Sequence, residues 1–416
     1  MSSLFKRLYA AACYGLWLPG LLMTVLAAPP SLAMGSKPAK TVEKAPAVPE
    51  LPKELEALLA RTLQDVRDNR LDDAMRGTEA MLKGYPHFRL AYLIRGDLLL
   101  SRARPLSGIG NAPGAAQQLA DLREEIHVRL QHLKERIPED RIPKNLLQFQ
   151  PGQRHAVVVD TSKARLYLFE NHNGEARYLA NYYTSIGKAG AEKMREGDQK
   201  TPLGMYFVVA NLPRSQLTDF YGVGAFPINY PNEWDRKLGR NGHGIWLHGV
   251  PSDTYSRPPR SSNGCVVLSN PDMTALGKTL QVGLTPVIIS ERVEWVAPKA
   301  LAERREALNR ALETWRGDWE SLDDGRYLRH YSQSFFAPGQ DHRSWSEQKR
   351  LVNAGKSWVK VKLSNVSLFS YPGDDGMVVA TFDQDYDSNN LKNQMRKRQY
   401  WKEENGVWRI IYEGSA

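Results

Sequence analysis

At 416 residues the chain is too long for one ordinary domain and points to two or three. Apolar residues at 42% and charged residues at 25% are ordinary globular values, which exclude wholesale disorder. A formal charge of +10 favours an anionic partner, whether nucleic acid, a lipid headgroup surface or a carboxylate-rich wall polymer, and does not separate the three.

Lys6 and Arg7 precede an uncharged stretch from Leu8 to Ala28, followed by small residues ending Ser31-Leu32-Ala33. A basic start, an apolar centre and an A-x-A-like end describe a secretory signal over residues 1–33. An uncleaved anchor is the other reading, since 21 uncharged residues just span a bilayer. Pro19-Gly20 shortens the effective helix and favours cleavage. On either reading the rest of the chain leaves the cytoplasm. Once the signal is removed, Cys265 is the one cysteine left, so an internal disulfide framework is excluded.

Residues 29–52 carry six prolines among small and charged residues, so 34–52 reads as a linker. Residues 53–150 read as a helical module. Leu55, Leu58, Leu59, Leu63 and Val66 recur at three- and four-residue steps, as do Leu119, Leu122, Ile126, Leu130 and Leu133. Ala74, Pro86 and Gly96 resemble the small residues and terminal proline of a tetratricopeptide-type hairpin; a plain bundle leaning on the next domain is the alternative.

Over residues 151–293 the period changes to two. His155–Asp160 and Arg165–Phe169 are apolar runs separated by a hairpin-like turn. Further strands are expected at 178–186, 205–210, 244–248, 265–268 and 287–290, with glycine and proline between them. This is a mostly β domain of sandwich or barrel type. Residues 299–416 begin with a helix from Lys299 to Trp319 and end in strand-like runs at 359–371, 377–386 and 399–411. That order resembles the cone of SnoaL-like and nuclear-transport-factor-two-like proteins, here expected to bind a partner or to dimerise. The fold class is therefore multidomain α+β: a helical module, a β catalytic domain and an α+β cone.

The chemistry lies in Gly244-Ile245-Trp246-Leu247-His248-Gly249 and Ser261-Ser262-Asn263-Gly264-Cys265. A free thiol is only a few per cent thiolate at neutral pH, so a nucleophilic cysteine needs a base or a positive field. Histidine is the usual base. Strand alternation puts Trp246 and His248 on one face and Ile245 and Leu247 on the other. Cys265 and Val267 likewise share a face opposite Val266 and Leu268. Gly264 permits a strained φ or close backbone approach beside the thiol.

His-Gly followed by Ser-x-Gly-Cys is similar to the signature of the YkuD-type L,D-transpeptidases. Gly187-Lys188 and Lys200-Thr201-Pro202-Leu203-Gly204-Met205-Tyr206 resemble the same family's upstream segments. The resemblance implies that Cys265 attacks the amide before the terminal D-alanine of a peptidoglycan tetrapeptide stem. His248 would act as base and then acid, with the Gly249 carbonyl fixing its tautomer. Main-chain N–H groups near Gly264 and Cys265 would hold the oxyanion. An amine of a second stem would then resolve the thioester and crosslink third residues. It also implies substrate contacts at Trp246, Ser262, Asn263 and Gly264, and residence in the periplasm. Asn263 and Val267 depart from the family's usual histidine and arginine. Arg260, or another residue of the loop from Pro251 to Arg260, is expected to replace the missing arginine.

Zinc is disfavoured, because four structural or three catalytic ligands are not at hand, and no cofactor is expected. A papain-like protease places its cysteine before its histidine, the reverse of the order here. The rival within the family is an L,D-carboxypeptidase, in which water resolves the thioester; a cell-shape carboxypeptidase of helical bacteria is similar in its three-part plan. Partners beyond stem peptides would be other cell-wall proteins, met through the helical module or the cone, or a second copy of the chain. The basic run Lys392…Arg396-Lys397-Arg398…Lys402 reads as a solvated strand face, and nucleic acid is not an expected partner of an exported chain.

Overall fold

The computed structural model describes residues 51–106, 108–111, 116–135 and 140–416. The signal-like segment and nearly all of the proline-rich linker lie outside the described residues. No helix among the described residues is long and apolar enough to cross a membrane.

Helices Leu51–Arg67, Leu71–Gly84, Arg89–Ser101 and Ala116–Lys134 carry the expected leucine stripes. Those stripes meet in one core around Leu55, Leu59, Ala74, Met81, Phe88, Ile94 and Ile126. Pro86 falls in the turn between the second and third helices, as the hairpin pattern requires. A single hairpin cannot cover its own apolar face. Here the fourth helix covers part of it, and Tyr255 of the neighbouring β domain covers more.

The β domain is a sandwich. Its larger sheet has five strands in the order Glu175–Tyr183, Arg165–His172, His155–Asp160, Pro286–Ser290, Gly204–Phe207. The smaller has four, in the order Val266–Val267, Trp246–His248, Gly224–Pro227, Leu212–Pro213. Val157, Val159, Leu166 and Leu168 of the larger sheet pack on Ile245, Leu247, Val266 and Leu268 of the smaller. The opposite face of the larger sheet is also buried. Ala156, Val158, Tyr167, Phe169 and Ile288 share a core with Phe369, Met377, Val379, Tyr400 and Tyr412 of the C-terminal domain. Burial on both faces explains why His155–Asp160 reads as a continuous apolar run rather than an alternating one.

The C-terminal domain wraps helices Ala302–Glu320, Asp324–Leu328 and His342–Ala354 against a curved sheet. The expected run from Gln399 to Ile411 is two strands, Lys392–Glu404 and Val407–Ser415. Asn405 and Gly406 at φ +52° and +78° make the tight turn between them. The basic run is not a solvated face throughout. Lys397 is buried on Glu413 (2.6 Å), and Arg398 is held by Glu233 of the β domain (3.0 Å). Leu146–Gln148, which precedes the β domain in sequence, adds a strand to the C-terminal sheet beside Val359–Ser370.

Candidate active site

Strands Trp246–His248 and Val266–Val267 lie side by side and parallel, with Leu247 opposite Val266 and His248 opposite Val267. Ile245, Leu247, Val266 and Leu268 point into the sandwich core, so Trp246 and His248 take the other face. Cys265 immediately precedes the second strand and is half-buried. Its thiol donates to the Gly244 carbonyl at 3.4 Å. His248 is 1% exposed, and its Nδ1 donates to the Gly249 carbonyl at 2.6 Å. With the proton on Nδ1, Nε2 keeps its lone pair, the state a general base requires.

The loop before the thiol is built from side-chain bonds to main chain. Ser262 is buried; its hydroxyl donates to the Cys265 carbonyl (2.6 Å) and accepts from the Gly264 N–H (3.0 Å). Asn263, between them, is exposed. Gly264 sits at φ +126°, and a Cβ there would stand 2.7 Å from the Lys200 carbonyl oxygen. Glycine is therefore required both for the dihedral and for the space. Thr201 joins the two upstream motif segments to this turn: its hydroxyl accepts from the Gly187 N–H (2.9 Å) and donates to the Gly264 carbonyl (2.9 Å). Gly249 has a similar constraint, since a Cβ would fall 2.2 Å from Asn270 Oδ1, which accepts from the Val250 N–H.

Burial pushes the Cys265 thiol up, against the main chain of Trp246 and the charges of Arg257 and Lys193, which pull it down. Burial also pushes His248 down to about 4; the bond to Gly249 opposes this and the charge of Arg257 adds to it. Both shifts favour the neutral forms, a thiol and a free imidazole, over a preformed ion pair.

Phe220, Tyr221 and Lys193 escaped the sequence reading, and Arg257 was narrowed only to its loop. Phe220 and Tyr221 stand over His248, with ring centroids 6.0 and 5.1 Å away, and Tyr221 also lies against Trp246 at 4.7 Å. Lys193 is buried on Asp198 (2.7 Å), which also accepts from the Met194, Arg195 and Lys200 N–H groups. Arg257 lies over the Phe220 ring at 4.9 Å. Arg260 is mostly exposed and faces Glu124 of the helical module at 3.7 Å. The cation acting on Cys265 and His248 from this loop is Arg257 instead. The loop does not stand free. Tyr255 packs edge-on to Tyr85 (4.7 Å) and Phe88 (5.1 Å), and the Ser256 hydroxyl donates to Glu125 (2.7 Å).

Residues 154–289 match the family model of the L,D-transpeptidase catalytic domain, YkuD, and residues 307–414 match that of the Cds6 C-terminal NTF2-like domain. The structure of Bdellovibrio bacteriovorus Bd1075 is 30% identical over 67% of this chain and 98% of that one, with a TM-score of 0.59. The chain belongs to the YkuD L,D-transpeptidase family. The helical cell shape determining protein Pgp2 from Campylobacter jejuni has the same fold at 24% identity, covering 65% of this chain and 95% of that one, with a TM-score of 0.57. No curated protein matches. The family and the C-terminal NTF2-like cone are those anticipated from the motifs. A YkuD domain makes the chain a peptidoglycan-acting enzyme, with the stem peptides of the cell wall as its substrate.

Proposed function

We propose that the enzyme is an exported L,D-carboxypeptidase, acting in the periplasm, that trims tetrapeptide stems to tripeptides through a Cys265 thioester. Cys265 Sγ attacks the carbonyl carbon of the third stem residue while His248 Nε2 takes the thiol proton. The C–N bond then breaks, and the proton on His248 passes to the departing amine of D-alanine. The Gly264 N–H is already used by Ser262, so the oxyanion donor is the Cys265 N–H, a contact worth typically about 3–4 kcal/mol. Arg257 stands in for the arginine missing at Val267 and pairs with the terminal carboxylate of the stem. Trp246, Phe220, Tyr221 and Asn263 border the stem, while Ser262 shapes the turn.

The observation that carries hydrolysis over transfer is the anchoring of the loop from Pro251 to Arg260. A loop of this length beside the thiol is where a groove for a second stem would be walled. Tyr255, Ser256 and Arg260 instead engage the helical module, so the loop is committed to that contact. An acceptor stem gains its advantage over water only where a groove raises its effective concentration. Likeness to a protein that determines helical cell shape is consistent with trimming, which limits crosslinks. The family's transpeptidase name favours transfer to an amine as the second reading.

Purified protein incubated with disaccharide-tetrapeptide and followed by mass spectrometry should release D-alanine. Cys265→Ala should release none, and His248→Ala should be slower by at least about 10²-fold. Wild-type turnover by the Cys265→Ala protein would remove the nucleophile.

A further inference from the structure

The third helix of the helical module leaves a face uncovered. Arg89–Ser101 buries Leu90, Ala91, Ile94, Asp97 and Leu98 against the rest of the module. At about 100° per residue these side chains fall on one side of the helix. The opposite side carries Tyr92 and Leu99, 51% and 49% exposed, with the exposed Gly96 between them. Large apolar side chains scattered singly over a surface need no explanation, but two aligned along one helix form a seam.

The spacing is that of a helix-pairing surface. Tyr92, Gly96 and Leu99 follow at steps of four and three residues, the repeat of a coiled-coil seam. Gly96 keeps that seam shallow at its centre. Glycine inside a helix is destabilising, and among the described residues no neighbouring atom lies within 4 Å of a Cβ built there, so the fold itself does not use the space. A small residue at such a point lets the backbone of a second helix approach closely. Gly96 is also one of the small residues that resemble a tetratricopeptide hairpin, whose helices stack on the next repeat or end in a polar cap. Here the outer face is apolar at Tyr92 and Leu99 instead of capped.

The charges beside the seam select its occupant. Arg95 and Arg102 stand seven residues apart along one margin, and Arg102 continues the helical backbone at φ −70° and ψ −22°. Both are exposed. Arg102 has only a long contact with Asp72 (3.9 Å), and Arg95 has no ion pair among the described residues. Residues that flank a helix-pairing seam set partner choice by their charge. A second copy of the chain would bring Arg95, Arg102, Leu93 and Leu100 to these margins and no carboxylate. We propose that this face docks an amphipathic helix of a partner protein, apolar along its own seam and acidic beside it. The seam shares no residue with the thiol site and serves whichever acceptor resolves the thioester.

Two fluorescein-labelled helical peptides of about three heptads test it, both with leucine along the seam, one with glutamate and the other with lysine beside it. Their binding to the full chain is read by fluorescence anisotropy. The acidic peptide should bind saturably and at least about tenfold more tightly than the basic one. Arg95→Glu with Arg102→Glu should reverse that preference, which a misfolded variant would not do. Tyr92→Ala with Leu99→Ala should weaken the acidic peptide at least about tenfold while thermal unfolding stays that of the parent. No saturable binding of the acidic peptide, equal affinity for the two peptides, or a preference unmoved by the arginine substitutions would overturn the proposal. So would a dimer in sedimentation velocity that the Tyr92→Ala, Leu99→Ala protein loses, which would seat a second copy on the seam. Capture on phosphatidylglycerol vesicles that the same variant loses would seat a lipid surface there and overturn it too.

Discussion

At the scale of single residues, the site rests on two neutral groups. His248 is held near 4 by burial, against an ordinary value of 6.5, so it stays an unprotonated base down to mildly acid pH. The acid limb of kcat/KM should therefore lie below pH 5, with circular dichroism confirming that the fold persists there. Arg257→Ala removes a charge that depresses both His248 and the thiol. That variant should move the acid limb upward and raise KM for the stem. A limb near 6.5 in the parent protein would show that the imidazole is not desolvated as described. The histidine–cysteine pair was legible because its chemistry demands specific residue types at a readable spacing. Arg257, Phe220, Tyr221 and Lys193 were not, since each comes from an irregular segment with no period to read. Arg257 could be narrowed only to its loop.

At the scale of elements, the Ser-Asn-Gly-Cys turn explains why motif segments far apart in sequence belong together. Thr201 bridges Gly187 and Gly264, so the upstream segments act as a cradle for the thiol loop. Gly264→Ala should destabilise the protein by about 1–3 kcal/mol, the usual cost of a strained dihedral. The added methyl would also meet the Lys200 carbonyl, and turnover should fall at least tenfold. Thermal unfolding and D-alanine release check both parts. A Gly264→Ala protein as stable and active as its parent would mean that the turn adapts freely. Strand positions were legible from apolar runs and their turns. The turn at Asn405-Gly406 was missed although Asn-Gly is a strong hairpin signal, because Tyr400-Trp401 and residues 407–411 read as one strand across the charged Lys402-Glu403-Glu404 between them. Leu146–Gln148 was missed for a different reason. Three residues make no period, and their partners lie in the C-terminal domain.

At the scale of the molecule, the described residues form one compact unit, and the shared cores show why. Glu233 accepts from both Arg398 (3.0 Å) and the Tyr400 hydroxyl (2.9 Å), adding polar bonds across the same contact. Removing residues 299–416 would expose Tyr167, Phe169, Phe207 and Ile288 as one apolar patch. The truncated chain should aggregate when expressed; a soluble, active product would show that the catalytic domain does not need this cover. Three parts in this order were legible from composition and period. How the parts lean on one another was not, because those contacts join side chains distant in sequence.

The helical module's grip on the loop beside the thiol favours hydrolysis over transfer. The direct measurement is a time course of products from tetrapeptide stems alone, at high concentration, by mass spectrometry. Tripeptide and free D-alanine should accumulate in equal amounts, with no dimer linked through third residues at any time. Accumulation of such dimers as a major product would contradict the water-resolved thioester and establish transfer to an amine in its place.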